Sequence, residues 1–375
     1  MTVINYLTTI EFDFGVVARL PDVLKECGIR APLIVTDDGL VRLGLIEDLQ
    51  ARIAVLKDGA IFSETPANPT EAAAIEAHGV YRDAGCDGIV AIGGGSPIDL
   101  AKAVAILTTH EGPLAQYAAI EGGVAKVNPV APVVAVPTTA GTGSEVGRAA
   151  LITLNDNRKL GLISPHLIPV RAICDPELTY GLPKSLTAAT GLDAISHCVE
   201  TYLSPKINPV AEAIALDGLS RAVGAIKTAV QDGGNKQARW QMMMAALQGG
   251  LTFQKGLGAI HALSHPLGAL KHVSLHHGTL NAILLPYVLE KNAPACTQKY
   301  AQMRQCLGLA DGASLPEFFA TLNTDLGLPA NLSNEGVLEA DLEPVAAAAI
   351  LDHSAASNPI QFSADEYLAI LRESF

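Results

Sequence analysis

The stretch Gly88-Ile-Val-Ala-Ile-Gly-Gly-Gly-Ser-Pro-Ile-Asp99 decides the fold of the first half of the chain. Gly88 to Ile92 is a short, apolar, partly β-branched run of the kind that forms a strand buried on both faces. Gly93, Gly94 and Gly95 interrupt it, and the helix-like stretch Ile98–Leu107 follows. Pro97 suits a first helical turn. Glycines let backbone N–H groups come close to a diphosphate, Ser96 adds a side-chain donor, and the N-terminus of the following helix is electropositive. A plain strand-to-helix turn would use the same glycines, and the spacing is not the GxGxxG fingerprint. Alone, the loop leaves both readings open.

The flanking sequence repeats the pattern. Ala31–Val35 and Val130–Val136 are further apolar runs, with a helix-like stretch at Thr70–Ala84. Strands alternating with helices predict a parallel sheet covered on both faces. After the last run comes Pro137-Thr-Thr-Ala-Gly-Thr-Gly-Ser-Glu145, with Thr138, Thr139 and Thr142 as neutral donors. Two donor-rich loops after two parallel strands lie at the carboxyl edge of one sheet, where open α/β folds bind ligands. Asp37 ends the first run. There a carboxylate can bond both ribose hydroxyls and repel a 2′-phosphate, which favours NAD over NADP. Capping a helix is an equally good use for it.

Past Pro183 the texture changes. Ala- and Leu-rich segments with helical spacing dominate: Ser185–Leu203, Pro209–Val230, Lys236–Thr252, His261–Leu270 and Leu342–Leu351. Two domains are expected, an α/β domain over 1–182 that binds NAD and a helical domain over 183–375, with a cleft between them. The length of 375 residues agrees, at about 150 residues per domain.

Composition narrows the function. Lys and Arg number 25 against 38 Asp and Glu, a net charge of −13, which disfavours nucleic acid or an anionic membrane as partner. No apolar run reaches the ~18 residues of a membrane span, and Met1 to Asp13 carries no basic-then-apolar secretory pattern. Six scattered cysteines without a CxxC read as reduced thiols, which places the chain in the cytoplasm.

Ten histidines are present, five of them between His261 and His277. Asp193 and His197 are four apart in a helical segment and share a face, as do His261 and His265. His276 and His277 precede a glycine. One Asp with three His makes a mixed oxygen and nitrogen site for Fe(II), Zn(II), Co(II) or Mn(II). His78, His110, His166 and His353 lack such company and read as structural or surface residues. Lys255, six residues before His261, and Arg148, after the threonine loop, stand out as cations in an acidic chain. A cation beside a metal is costly unless an anion pairs with it, so both are candidates to hold an anionic substrate tail.

Gly93-Gly-Gly-Ser-Pro-Ile-Asp-Leu-Ala-Lys102, Pro137 to Glu145, Gly191-Leu-Asp-Ala-Ile-Ser-His197 and Gly258-Ala-Ile-His-Ala-Leu-Ser-His265 together resemble the iron-containing (group III) alcohol dehydrogenases. The motifs run in that family's order over most of the chain. The resemblance implies a Rossmann-like N-terminal domain and an all-α C-terminal domain, the dehydroquinate synthase-like architecture. It also implies hydride transfer between a primary alcohol and NAD, aided by Fe(II), with Zn(II) as the alternative metal. The metal ligands implied are Asp193, His197, His261 and His277, with His272 and His276 competing for the last place. His265 is implied beside the nicotinamide, where it can relay the proton. Cofactor contacts are implied at Asp37, Gly94, Gly95, Ser96, Asp99, Thr138, Thr139, Thr142 and Lys159. A homodimer or larger homo-oligomer is implied as well. With the two cations, the expected substrate is a 4-hydroxyacid such as 4-hydroxybutyrate and its semialdehyde. The alternatives are a maleylacetate-reductase-like or glycerol-type oxidoreductase of the same fold, or an NAD-binding sensor without catalysis.

Overall fold

The computed structural model describes residues 8–57, 59–156 and 158–375. Segment 1–7, part of the stretch read as lacking a secretory signal, lies outside the described residues. Two compact units result. One runs to Thr139 and resumes over Ser144–Thr179; the other comprises Ala140–Gly143 and Tyr180–Phe375.

The first unit holds strands β1 (Thr9–Phe12), β2 (Pro32–Val35), β3 (Ala60–Phe62), β4 (Gly88–Gly93), β5 (Val133–Pro137), β6 (Ala149–Thr153), β7 (Lys159–Ile163) and β8 (Arg171–Cys174). Its helices are α1 (Leu20–Glu26), α2 (Asp38–Arg42), α3 (Leu45–Arg52), α4 (Ala54–Lys57), α5 (Glu71–Asp83) and α6 (Gly95–Leu107). Six strands pair in the order β1-β8-β5-β4-β2-β3, every pair parallel, while β6 and β7 form a separate antiparallel pair.

Alternation along the central strands explains the two covered faces. Leu33, Val35, Ile89, Ala91, Val133 and Ala135 point into one core with residues of α5 and α6. Ile34, Val90, Ile92, Val134, Val136 and Ile173 point into the other with residues of α1, α3 and α4. Each strand therefore reads as continuously apolar, as parallel strands buried on both faces do. Helix α6 starts three residues earlier than its apolar run, because Gly94 is the cap and Gly95 opens the first turn.

The second unit is helical: α7 (Lys184–Leu203), α8 (Pro209–Gln231), α9 (Lys236–Leu251), α10 (Ala259–Leu267), α11 (His277–Asn292), α12 (Thr297–Cys306), α13 (Leu315–Asp325), α14 (Glu339–Ala349) and α15 (Ala364–Glu373). Helix α7 is its axis, buried almost throughout and packed by α8, α9 and α11. Small residues allow the closest approaches. A Cβ on Gly278 would fall 2.2 Å from the Ala189 carbonyl oxygen, so only glycine lets α11 begin this near α7. The four-residue stretch 140–143 falls with the helices rather than the sheet for the same reason. A Cβ on Gly141 would meet Thr190 at 2.8 Å, and one on Gly143 would meet Gly250 at 2.6 Å. Among the described residues no helix is long and apolar enough to cross a membrane, and all six cysteines are free thiols.

Candidate metal centre and nucleotide loops

Three helices of the second unit deliver the histidine cluster. Asp193, His197 and Glu200 lie on one face of α7, His261 and His265 on one face of α10, and His277 is the first residue of α11. The Oδ1 atom of Asp193 is 3.4 Å from His197 Nε2, 3.6 Å from His261 Nε2 and 3.7 Å from His277 Nε2. These separations are too long for good hydrogen bonds. Two ligands of one tetrahedral ion, each about 2.1 Å from it, would stand about 3.4 Å apart, so the spacing is that of atoms sharing a centre. The Asn281 amide nitrogen reaches the same atoms, at 2.8 Å from Asp193 Oδ1, 3.2 Å from His261 Nε2 and 3.1 Å from His277 Nε2.

Asp193, His197 and His261 are almost completely buried. Burial alone would raise the Asp193 carboxyl, but His197, His261 and His277 hold it far below the usual range. Burial pushes His197 down to about 4 against the pull of Asp193. His261 is carried up to about 9, because Glu200 and Asp193 flank it and outweigh its burial. Glu200 Oε2 lies 2.6 Å from His261 Nδ1. Of the three candidates for the last position, the structure brings His277 to Asp193. His272 instead faces Asp341 at 3.3 Å, and His276 is the exposed residue preceding α11.

His265 forms a second layer. Its ring stacks on His277 with centroids 5.6 Å apart and on His353 at 5.5 Å. Its Nδ1 is 2.8 Å from Asp352 Oδ2, while its buried Nε2 has no hydrogen-bond partner among the described residues. His353 Nδ1 lies 3.6 Å from the other Asp352 oxygen. The expectation that His353 stands apart from the cluster is thereby corrected: the ring is part of a stack that its own neighbours in sequence do not reveal.

The glycine and threonine loops expected to hold a nucleotide follow the carboxyl ends of β4 and β5. Gly93 has φ +157°, and a Cβ there would meet Pro97 at 2.5 Å. Gly94 caps α6, and a Cβ on it would lie 3.2 Å from Thr139, so the two loops adjoin. Thr138 donates its N–H to the Gly93 carbonyl, and its buried hydroxyl has no partner among the described residues. Thr142 lies in the stretch grouped with the helices. Ser96 donates its hydroxyl to the Ala67 carbonyl, and Lys159 donates to Asn68. Asp37 does cap a helix, accepting the Leu40 N–H at 2.9 Å. Asp99 accepts the Ser144 hydroxyl on one oxygen and the Leu151 N–H on the other.

Lys255 is corrected too. Its side chain is fully buried and its ammonium donates to Glu212, so the compensating anion comes from the chain itself. Arg148 is exposed in the other unit, just before β6. Three residues at the cluster were not anticipated. Glu200 was findable, three residues past His197 on the same helical face, and Asn281 four past His277 likewise. Nothing local marks Asp352, which arrives from the segment after α14.

Two family models match the chain. "Iron-containing alcohol dehydrogenase" covers residues 8–176, and "Fe-containing alcohol dehydrogenase family, C-terminal" covers 187–375. Among curated relatives, 4-hydroxybutyrate dehydrogenase of Cupriavidus necator is 52% identical over the full length of both chains. 1,3-Propanediol dehydrogenase of Klebsiella pneumoniae is 39% identical, with 93% of this chain and 92% of that one aligned. Among solved structures, a 1,3-propanediol oxidoreductase superposes with a TM-score of 0.93 at 36% identity over all of both chains. Sulfoacetaldehyde reductase of Bifidobacterium kashiwanohense, solved with NAD+, gives 0.85 at 25% identity over 100% and 99% of the two chains.

Proposed function

The chain belongs to the iron-containing alcohol dehydrogenase family and is an NAD-linked oxidoreductase acting on a CH–OH group, and we propose from that premise that it interconverts 4-hydroxybutyrate and its semialdehyde. Full-length identity of 52% to a 4-hydroxybutyrate dehydrogenase carries the choice of substrate. The convergence of Asp193 with three imidazole nitrogens carries the choice of chemistry.

Asp193, His197, His261 and His277 are the ligand set, and the donors fit the metal: one carboxylate and three nitrogens, the first three residues buried and close to one another, and His277 half-buried with Nε2 3.7 Å from Asp193 Oδ1. The glycine and threonine loops fit a dinucleotide, with an orphaned buried Thr138 hydroxyl facing no protein partner. When bound, iron supplies Lewis acidity toward the alcohol oxygen, and NAD supplies the hydride acceptor. One carboxylate among three neutral imidazoles would leave a divalent ion held by these residues with a net positive charge. His265 holds the departing proton at Nε2, the ring atom left without a partner, because Asp352 engages Nδ1 and so fixes the ring's orientation. Lys255 has no part in holding the acid tail, since Glu212 already compensates it. The enzyme works in the cytoplasm, where its six thiols stay reduced, as a homo-oligomer whose size light scattering would measure.

The test is NAD reduction by chelator-stripped protein reloaded anaerobically with Fe(II), offered 4-hydroxybutyrate beside 1-butanol and 1,3-propanediol. The expected result is iron-dependent turnover with kcat/KM at least about tenfold higher for the hydroxyacid, a difference of about 1.4 kcal/mol. Preference for either neutral alcohol would discard the acid substrate. Absence of turnover on all three would discard the catalytic assignment.

A further inference from the structure

We infer that Glu200 is a positioning residue for the metal centre, and that its carboxylate fixes the ring proton of His261 on Nδ1 and so turns Nε2 toward the ion. The inference rests on the ligand set proposed above. Glu200 is 4% exposed, and both oxygens are used. Oε2 faces His261 Nδ1 at 2.6 Å, and Oε1 accepts the Ile260 N–H at 2.7 Å. The socket leaves no slack. A Cβ on Gly258, the residue preceding α10, would lie 2.9 Å from Glu200 Oε1 and equally close to Asn358 Oδ1, which accepts the Ala259 N–H.

The electrostatics point the same way. Among the described residues Glu200 pairs with no lysine or arginine; its one ionisable partner is His261. A buried carboxylate without a cation is costly. A cation on the far side of the imidazole removes that cost, and the far nitrogen of His261 is the one that faces Asp193. Carboxylate, imidazole and metal in a row is an arrangement in which the outer acid raises the ligand's basicity and sets its tautomer. Helix capping explains only Oε1; it leaves the Oε2 contact without a purpose.

Glu200→Gln separates the two roles. The amide oxygen can still accept the Ile260 N–H, but the amide nitrogen then faces His261 Nδ1 as a donor. That contact requires the ring proton to sit on Nε2, where it blocks the ligand position. The measurement is Co(II) affinity of the stripped full-length protein, read by its visible absorption in competition with a chelator. The expected loss is about 10- to 100-fold, with the metal-free melting temperature within about 4 °C of wild type, the shift that about 1 kcal/mol produces.

A second measurement does not depend on the variant folding. Nitrogen-15 histidine spectra of the Zn(II)-loaded wild type should show His261 carrying its proton on Nδ1. Wild-type Co(II) affinity in Glu200→Gln would overturn the inference while leaving the metal centre intact; a proton on His261 Nε2 in the Zn(II) form would overturn the inference and remove His261 from the ligand set. Failure of the wild type to bind Co(II) would overturn the ligand set itself, and this inference with it.

Discussion

At the residue scale, the loop after β5 contains a buried acid that makes a prediction about pH. Glu145 is 3% exposed, and its Oε2 has no hydrogen-bond partner among the described residues. Burial pushes its carboxyl up to about 7, with Lys102 pulling weakly the other way. Between the usual value of about 4.5 and 7, the folded protein keeps a proton that the unfolded chain has released. Unfolding then releases a proton, so stability falls as pH rises through that window and levels off above it. A displacement of that size corresponds to about 3 kcal/mol at most. Melting temperatures of the sheet unit should therefore decline from pH 5 to pH 7, and Glu145→Gln should flatten the decline. An unchanged slope in the variant would show that the carboxyl is ionised throughout. Side-chain roles of this kind were poorly legible in the sequence. The pairs Asp193/His197 and His261/His265 and the run His276-His277 could be read as candidates because helical spacing and a His-Gly bend are local signals, whereas the choice of His261 and His277 as ligands came only from the resemblance to the family's motifs. The assignment of Lys255 to the substrate was wrong because Glu212, 43 residues earlier, neutralises it, and no local pattern announces that pair.

Helix α11 illustrates what the element scale adds. It starts at His277, and its position against α7 depends on the next residue, Gly278. A methyl group there would press on the Ala189 carbonyl, which is backbone in the middle of a buried helix and has no room to move. Gly278→Ala must therefore displace the first turn of α11, and His277 with it. The expected cost is about 1–3 kcal/mol, typical of overpacking, together with a weakened metal site. Chemical denaturation and Co(II) titration of the one variant test both parts. A fully stable protein with normal Co(II) affinity would show that α11 is not held by this contact. The elements themselves were unevenly legible. Strands β2, β4 and β5 could be read because strands buried on both faces are uninterrupted apolar runs. Strand β1 (Thr-Ile-Glu-Phe) and β8 (Arg-Ala-Ile-Cys) carry charges within four residues and give no such signal. Helices α12 and α13 were missed because they bury only part of one side.

For the whole molecule, the division of labour between the two units has a direct experimental signature. All four proposed metal ligands, along with Glu200, His265 and Asp352, lie within Tyr180–Phe375. Gly93, Gly94, Thr138 and Thr139 lie in the sheet unit. The change of texture near residue 183 made this separation readable, because one half alternates apolar strands with helices and the other lacks strands. Only the return of 140–143 to the helical unit escaped it, since that depends on glycines meeting α7 and α9 in space. A ligand that binds only the native state stabilises it by about 2.7 kcal/mol at 100 times its Kd, and exchange slows most where the bound contacts are made. Co(II) should accordingly protect backbone amides of α7, α10 and the first turn of α11 from hydrogen exchange. NAD should protect the turn into α6 and the threonine loop after β5. If metal protected the β4 and β5 loops as strongly as the three helices, the ligand set would have to include the sheet unit, and the four-residue centre argued above would be wrong.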